Sequence, residues 1–171
     1  MAGKTAFSAT EWNEVLASPL MAAMAVSAAD PSGLIGLLKE NFASAKALIT
    51  AKQTSTSSLV KAIVADLETS EGRSAARAAV ETRFSGSTSA DIKSRSIDAL
   101  RQVAASLDKN APDESPAVKT WLHDISESVS EASSEGGFFG FGGVTVSDAE
   151  KASLSEIDSA LGRSALGRSA A

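Results

Sequence analysis

His123 is the only histidine in the chain. It stands four residues before Glu127, a spacing that puts both side chains on one face of a helix. A His–carboxylate pair of this kind moves protons as a general acid or base where a pocket surrounds it. A zinc centre built on one imidazole would be atypical, so the plain expectation for His123 is an exposed or interfacial side chain. There is no cysteine, which removes disulfides, thiolate metal sites and a cysteine nucleophile. One histidine among many serines gives no pattern for a Ser-His-Asp arrangement. Gly140-Phe141-Gly142-Gly143 is glycine-rich enough to suggest a phosphate cradle. The Lys-Ser/Thr of a P-loop is missing, however, and no strand pattern precedes it.

The elements that must position these groups are helices. The chain is 43% hydrophobic but only 5% aromatic, with no tyrosine and many alanines and serines. Such a composition suits close-packed helices with small side chains between them, and it does not suit a sheet. At 171 residues the chain is long enough for one domain with a sizeable core. The expected fold is all-α, a bundle of about six to eight helices spanning residues 1–162. The tail 163–171 is expected to be flexible, because Ala160–Ser164 and Ala165–Ser169 repeat the same five residues, a unit too short for a solenoid.

Taken in order, Ser8 and Glu11 have capping-box spacing, with Thr10 as an alternative cap, ahead of an apolar face of Trp12, Val15 and Leu16. Ser18-Pro19 is expected to break or kink this helix and to start a new one, with Ser18 as N-cap and Pro19 in the first helical position. Leu20 to Ala29 is apolar all round, as in a buried central helix. After the turn Asp30-Pro31-Ser32-Gly33, the residues Leu34, Leu37, Leu38, Phe42, Leu48 and Ile49 predict a helix to about Lys52. Leu59, Val60, Ile63, Val64 and Leu67 predict the next, capped by Ser57 or Ser58, with Glu71-Gly72 as an interruption before Arg73 to Ser85. Ile92, Ser96, Leu100, Val103 and Leu107 mark the inner face of a helix over Asp91–Leu107. Val118, Trp121, Leu122, Ile125, Val129 and Ala132 mark that of a helix begun at Ser115-Pro116. Leu154, Ile157 and Leu161 line the last helix, and Gly162 closes it.

Between the last two helices lies an unusual connector, residues 136–146. Gly136, Gly137, Gly142 and Gly143 let the backbone turn tightly, and Phe138, Phe139 and Phe141 are too apolar for a solvated linker. Burying one such ring is worth roughly 1.5–3 kcal/mol, so at least two are expected to tuck into the bundle. The alternatives are a ligand-contacting loop or an exposed patch for a partner. Ser147 and Glu150 have the spacing of a capping box for the helix that follows.

Net charge is −5 with an isoelectric point near 4.9, and no Lys/Arg stripe offers itself to nucleic acid. No apolar run approaches the ~20 residues that span a bilayer, and no secretory signal opens the chain. The expectation is a cytoplasmic protein that neither binds nucleic acid nor inserts into a membrane.

Two segments look like copies of one plan. One is a buried helix, the acidic turn Asp30-Pro31-Ser32-Gly33, then a helix carrying Glu40. The other is the helix Val118–Ser134, the turn Glu135-Gly136-Gly137, then a helix carrying Glu150. This arrangement resembles the TerB-like, tellurite-resistance-associated helical family. The resemblance implies about seven helices with pseudo-twofold internal symmetry and acidic turns that bind divalent metal. Asp30 with Glu40, and Glu135 with Asp148 and Glu150, would then supply oxygen ligands for a hard cation such as calcium. The run Glu135–Gly143 is also similar to stretches of bacterial helical proteins, a likeness that implies no activity.

Three functions follow as expectations. The first is a non-enzymatic binding or scaffold module. It would act on a protein partner or a second copy through 136–146, the neighbouring faces of Trp12 and Trp121, and the apolar helix at Leu20–Ala29. The second is a TerB-like metal-binding protein, and the third an enzyme using His123.

Overall fold

The computed structural model describes residues 3–28, 50, 53–135 and 148–163. Within them the chain forms a short 3₁₀ turn, Lys4–Ala6, and six α-helices: α1 Ala9–Ser27, α2 Ser58–Glu68, α3 Ser70–Phe84, α4 Ser89–Asn110, α5 Ser115–Glu135 and α6 Asp148–Ala160. No strand occurs among the described residues. The all-α expectation therefore holds. Of the helix expected between Leu34 and Lys52 only Thr50, which is helical, is described; the connector 136–146, Ser147 and the repeat tail beyond Arg163 lie outside the described residues.

The organising element is α1. Its start follows the sequence: the Ser8 hydroxyl accepts from the Glu11 amide at 3.2 Å, and the Glu11 carboxylate accepts from the Ser8 amide at 2.9 Å, closing the capping box. Its course does not. The helix runs unbroken through Pro19, where a break and a new start were expected. A helical proline leaves the carbonyl four residues back without its amide partner, here the carbonyl of Val15. The Ser18 hydroxyl donates to that carbonyl at 2.7 Å in a fully buried setting. Ser18 is thus no N-cap. It supplies the hydrogen bond that Pro19 cannot.

Val15, Leu16, Ala17, Met21, Ala22, Ala23, Ala25 and Val26 are all at most 1% exposed, because α3, α4, α5 and α6 surround the helix. A helix apolar on every side is stable only when covered on every side. Alanines at 17, 22, 23 and 25 allow that close approach. Most of its apolar surface is therefore spent inside the bundle, and Leu20, 36% exposed, is the large apolar side chain it leaves outside. Trp12 and Trp121 are buried too, at 3% and 6% exposure, and are core rather than contact faces.

The α2–α3 corner turns on one residue. Thr69 ends α2 with its amide and hydroxyl on the Asp66 carbonyl, at 3.0 and 2.7 Å, and caps α3 by accepting from the Gly72 amide at 2.9 Å. The break lies at Thr69, ahead of the expected Glu71-Gly72. Gly72 sits inside α3 for a different reason: a Cβ there would lie 2.1 Å from the Asp66 carbonyl oxygen. Arg73 reaches back to the Glu68 carbonyl at 2.6 Å and satisfies the end of α2.

Carboxylates lock the remaining elements together. Asp66 accepts from Trp12 Nε1 at 2.7 Å and Lys4 Nζ at 2.9 Å, and the indole bond leads in holding its pKa below the usual aspartate range. Glu114, in the turn before α5, accepts from the hydroxyls of Ser57 and Ser58 at 2.6 and 2.5 Å. These two bonds lower its pKa, and the charge complements the start of α2. Asp108 of α4 accepts from Lys119 Nζ at 2.7 Å and from the Ser115 hydroxyl at 2.6 Å. That hydroxyl is therefore engaged across the turn and does not cap α5.

Candidate functional site

His123 projects from the N-terminal half of α5 toward the C-terminal end of α6. Its Nδ1 lies 2.9 Å from Asp158 Oδ1, a close contact without hydrogen-bond geometry, since neither atom has a hydrogen-bond partner. The His123 side chain is 13% exposed and that of Asp158 30%. Arg163 continues the cluster, with Nε 3.4 Å from the same Asp158 oxygen and Nη1 donating to the Lys119 carbonyl at 3.5 Å. Lys119 opposite Arg163 and His123 opposite Asp158 make α5 and α6 an antiparallel pair.

The local sequence explains why α6 ends where Arg163 is needed. Gly162 adopts φ +68°, the left-handed conformation glycine takes most easily. The Gly162 amide bonds the Ser159 carbonyl at 3.2 Å and the Arg163 amide bonds the Asp158 carbonyl at 2.8 Å. This is a Schellman ending, and it turns Arg163 back over α5. The glycine stop was legible in the sequence. The Asp158 partner was not: the expected partner was Glu127, on the same helix.

Glu127 instead belongs to the outer side of the cluster. One ligand-capable atom from each of His123, Asp124 and Glu127 lies within 4.8 Å of the other two. Asp124 and Glu127 are exposed. Loss of water nevertheless pushes the Asp124 carboxyl pKa up, and the Glu127 charge adds to the rise, while His123 and Arg163 oppose it. Two carboxylates and an imidazole can accept hydrogen bonds from a cationic group or ligate a metal ion.

Of the acidic set implied by the TerB resemblance, only Asp148 has a described side chain. Asp30 and Glu40 lie outside the described residues, as do Gly136, Gly137, Phe138, Phe139, Phe141, Gly142 and Gly143. Glu135 is the last residue of α5 and Glu150 the third of α6. Asp148 opens α6, exposed, with Oδ1 3.6 Å from Lys151 Nζ. Asp124 carried no sequence signal of its own, because one acid in a polar helix face is ordinary.

No protein-family model, no curated protein and no solved structure matches this chain. No helix among the described residues is long and apolar enough to cross a membrane.

Proposed function

We propose that the chain is a non-enzymatic helical binding module that acts through protein–protein contacts, self-association among them, with segment 136–146 as its contact element. The observation that supports this reading is the pinning of α5 and α6. The two helices run antiparallel, are joined by Arg163, which reaches Asp158 and the Lys119 carbonyl, and both contact α1 and α4. The segment that carries Phe138, Phe139 and Phe141 is therefore flanked in the chain by helices docked on one core. Fixed supports lower the ordering cost that a contact loop meets on binding. His123, 13% exposed in the α5–α6 interface, is better accounted for as an interfacial side chain than as an acid–base catalyst.

The test is light scattering on full-length protein beside a variant with Phe138, Phe139 and Phe141 all changed to alanine, with circular dichroism on both. The reading expects the variant to keep its helical spectrum and lose association. Unfolding of the variant would make the phenylalanines core, and unchanged association would place the interface elsewhere. Either result rejects the reading.

A further inference from the structure

We infer that His123, Asp124 and Glu127 form a binding site for a divalent transition-metal ion of the zinc or manganese kind. This goes beyond the contact role given to 136–146 and does not depend on it. The three side chains leave one helix at offsets of zero, one and four, and their ligand-capable atoms already lie within 4.8 Å of one another. Tetrahedral coordination with bonds of about 2.1 Å would set ligand atoms about 3.4 Å apart. The remaining contraction falls on two exposed carboxylates whose side-chain torsions are free to supply it, while the largely buried imidazole stays where the helix interface holds it.

Two further observations point to a cation at this place. The first is the brace behind the imidazole. A metal-binding histidine ordinarily has a carboxylate against its other ring nitrogen, which fixes the ring and raises its basicity. Here Asp158 stands 2.9 Å from Nδ1, close enough to become that brace by a small turn of its carboxylate though out of hydrogen-bond line as it stands, and Arg163 lies behind Asp158 at 3.4 Å. The second is negative charge that neighbouring Arg163 offsets only in part. Asp124 and Glu127 form no hydrogen bond or ion pair with any described residue, whereas Glu11, Asp66, Asp91, Asp108 and Glu114 are all satisfied by donors. An ion would remove the mutual repulsion of the pair. One imidazole nitrogen with two carboxylate oxygens suits zinc or manganese. It falls short of the six to eight oxygens that calcium takes, and the open positions would be filled by water.

The experiment uses tag-free full-length protein, stripped with chelator and titrated with ZnCl2 and, separately, MnCl2. Calorimetry is expected to give one ion per chain. Tm is expected to rise by about 5–10 °C when the free ion stands at roughly a hundred times its Kd. Because the chain has a single histidine, its imidazole proton resonances are unambiguous, and substoichiometric Mn²⁺ should broaden them before other signals. The pair Asp124→Asn with Glu127→Gln should abolish the Tm rise and keep the helical spectrum in chelator. The broadening is read on unmodified protein, so the test survives a variant that fails to fold. Absence of zinc and manganese binding overturns the proposal, as does binding that spares the His123 resonances. So does a metal response lost in Asp30→Asn with Glu150→Gln but kept in the Asp124/Glu127 variant, which would place the ion at the acidic turns instead.

Discussion

Replacing Ser18 by alanine should cost much more than deleting an ordinary helix serine. The hydroxyl bond to the Val15 carbonyl is 2.7 Å long and fully buried, and Pro19 leaves that carbonyl no amide. Removal strands a buried acceptor, a loss of about 1–3 kcal/mol. At about 2–4 °C per kcal/mol for a chain of this size, Tm should fall by several degrees. The decisive measurement is a double-mutant cycle with Pro19→Ala. That change restores an amide aimed at Val15, so Ser18→Ala should cost little in its presence. The cavity left by the smaller ring appears in both Pro19→Ala proteins and cancels. Urea unfolding followed at 222 nm on all four proteins gives the coupling, expected at about 1–2 kcal/mol, within the usual range for groups sharing one partner. Additivity to within about 0.5 kcal/mol would refute the account of why α1 passes through a proline.

Gly72→Ala should destabilise by about 1–3 kcal/mol or more, although alanine ordinarily gains about 1 kcal/mol over glycine inside a helix. The added carbon would stand 2.1 Å from the Asp66 carbonyl oxygen, and a variant as stable as the parent in thermal unfolding would refute the corner geometry. Glu11 is held down from 4.5 to about 2, first by the Ser8 amide. A depressed carboxylate contributes stability above its unfolded value and loses it as pH falls through its folded one. Glu11→Gln should therefore lower Tm at pH 7, with the gap closing between about pH 4.5 and 2. Asp124 has the opposite sign: its raised pKa is a penalty present at neutral pH and absent in acid. Asp124→Asn in chelator should raise Tm at pH 7, and that gain should vanish below the ordinary aspartate value of 3.8.

Much of the fold could be read from periodicity because it depends on local rules. Ser96, Leu100, Val103 and Leu107, and Val118, Trp121, Leu122, Ile125 and Val129 after them, point inward as expected, while Ile92 is only half-buried. Ser8 and Gly162 mark helix ends as their types require. Pro19 misled because its effect is settled by a neighbour's hydroxyl, and Ser18 reads equally well as a cap or as a bond donor to the turn behind. The partners of His123, Glu114 and Asp66 were hidden for another reason. They lie 35, 56 or 57, and 54 or 62 residues away in sequence, and no spacing rule reaches so far. The Asp124–Glu127 site fell between the two cases: its spacing is local, but its interest comes from Asp158 across the helix pair.

The burial of α1 also sets a schedule for making the protein. Most of the described helices that cover its apolar surface begin at Ser70 or later and end at Ala160, so during translation these partners follow this helix out of the ribosome. Chain growth at about 5–20 residues per second puts roughly 7–26 s between Ser27 and Ile157. For that interval the apolar face of α1 waits for its cover, and a chain cut short before α6 would leave the part of that face which α6 packs on exposed.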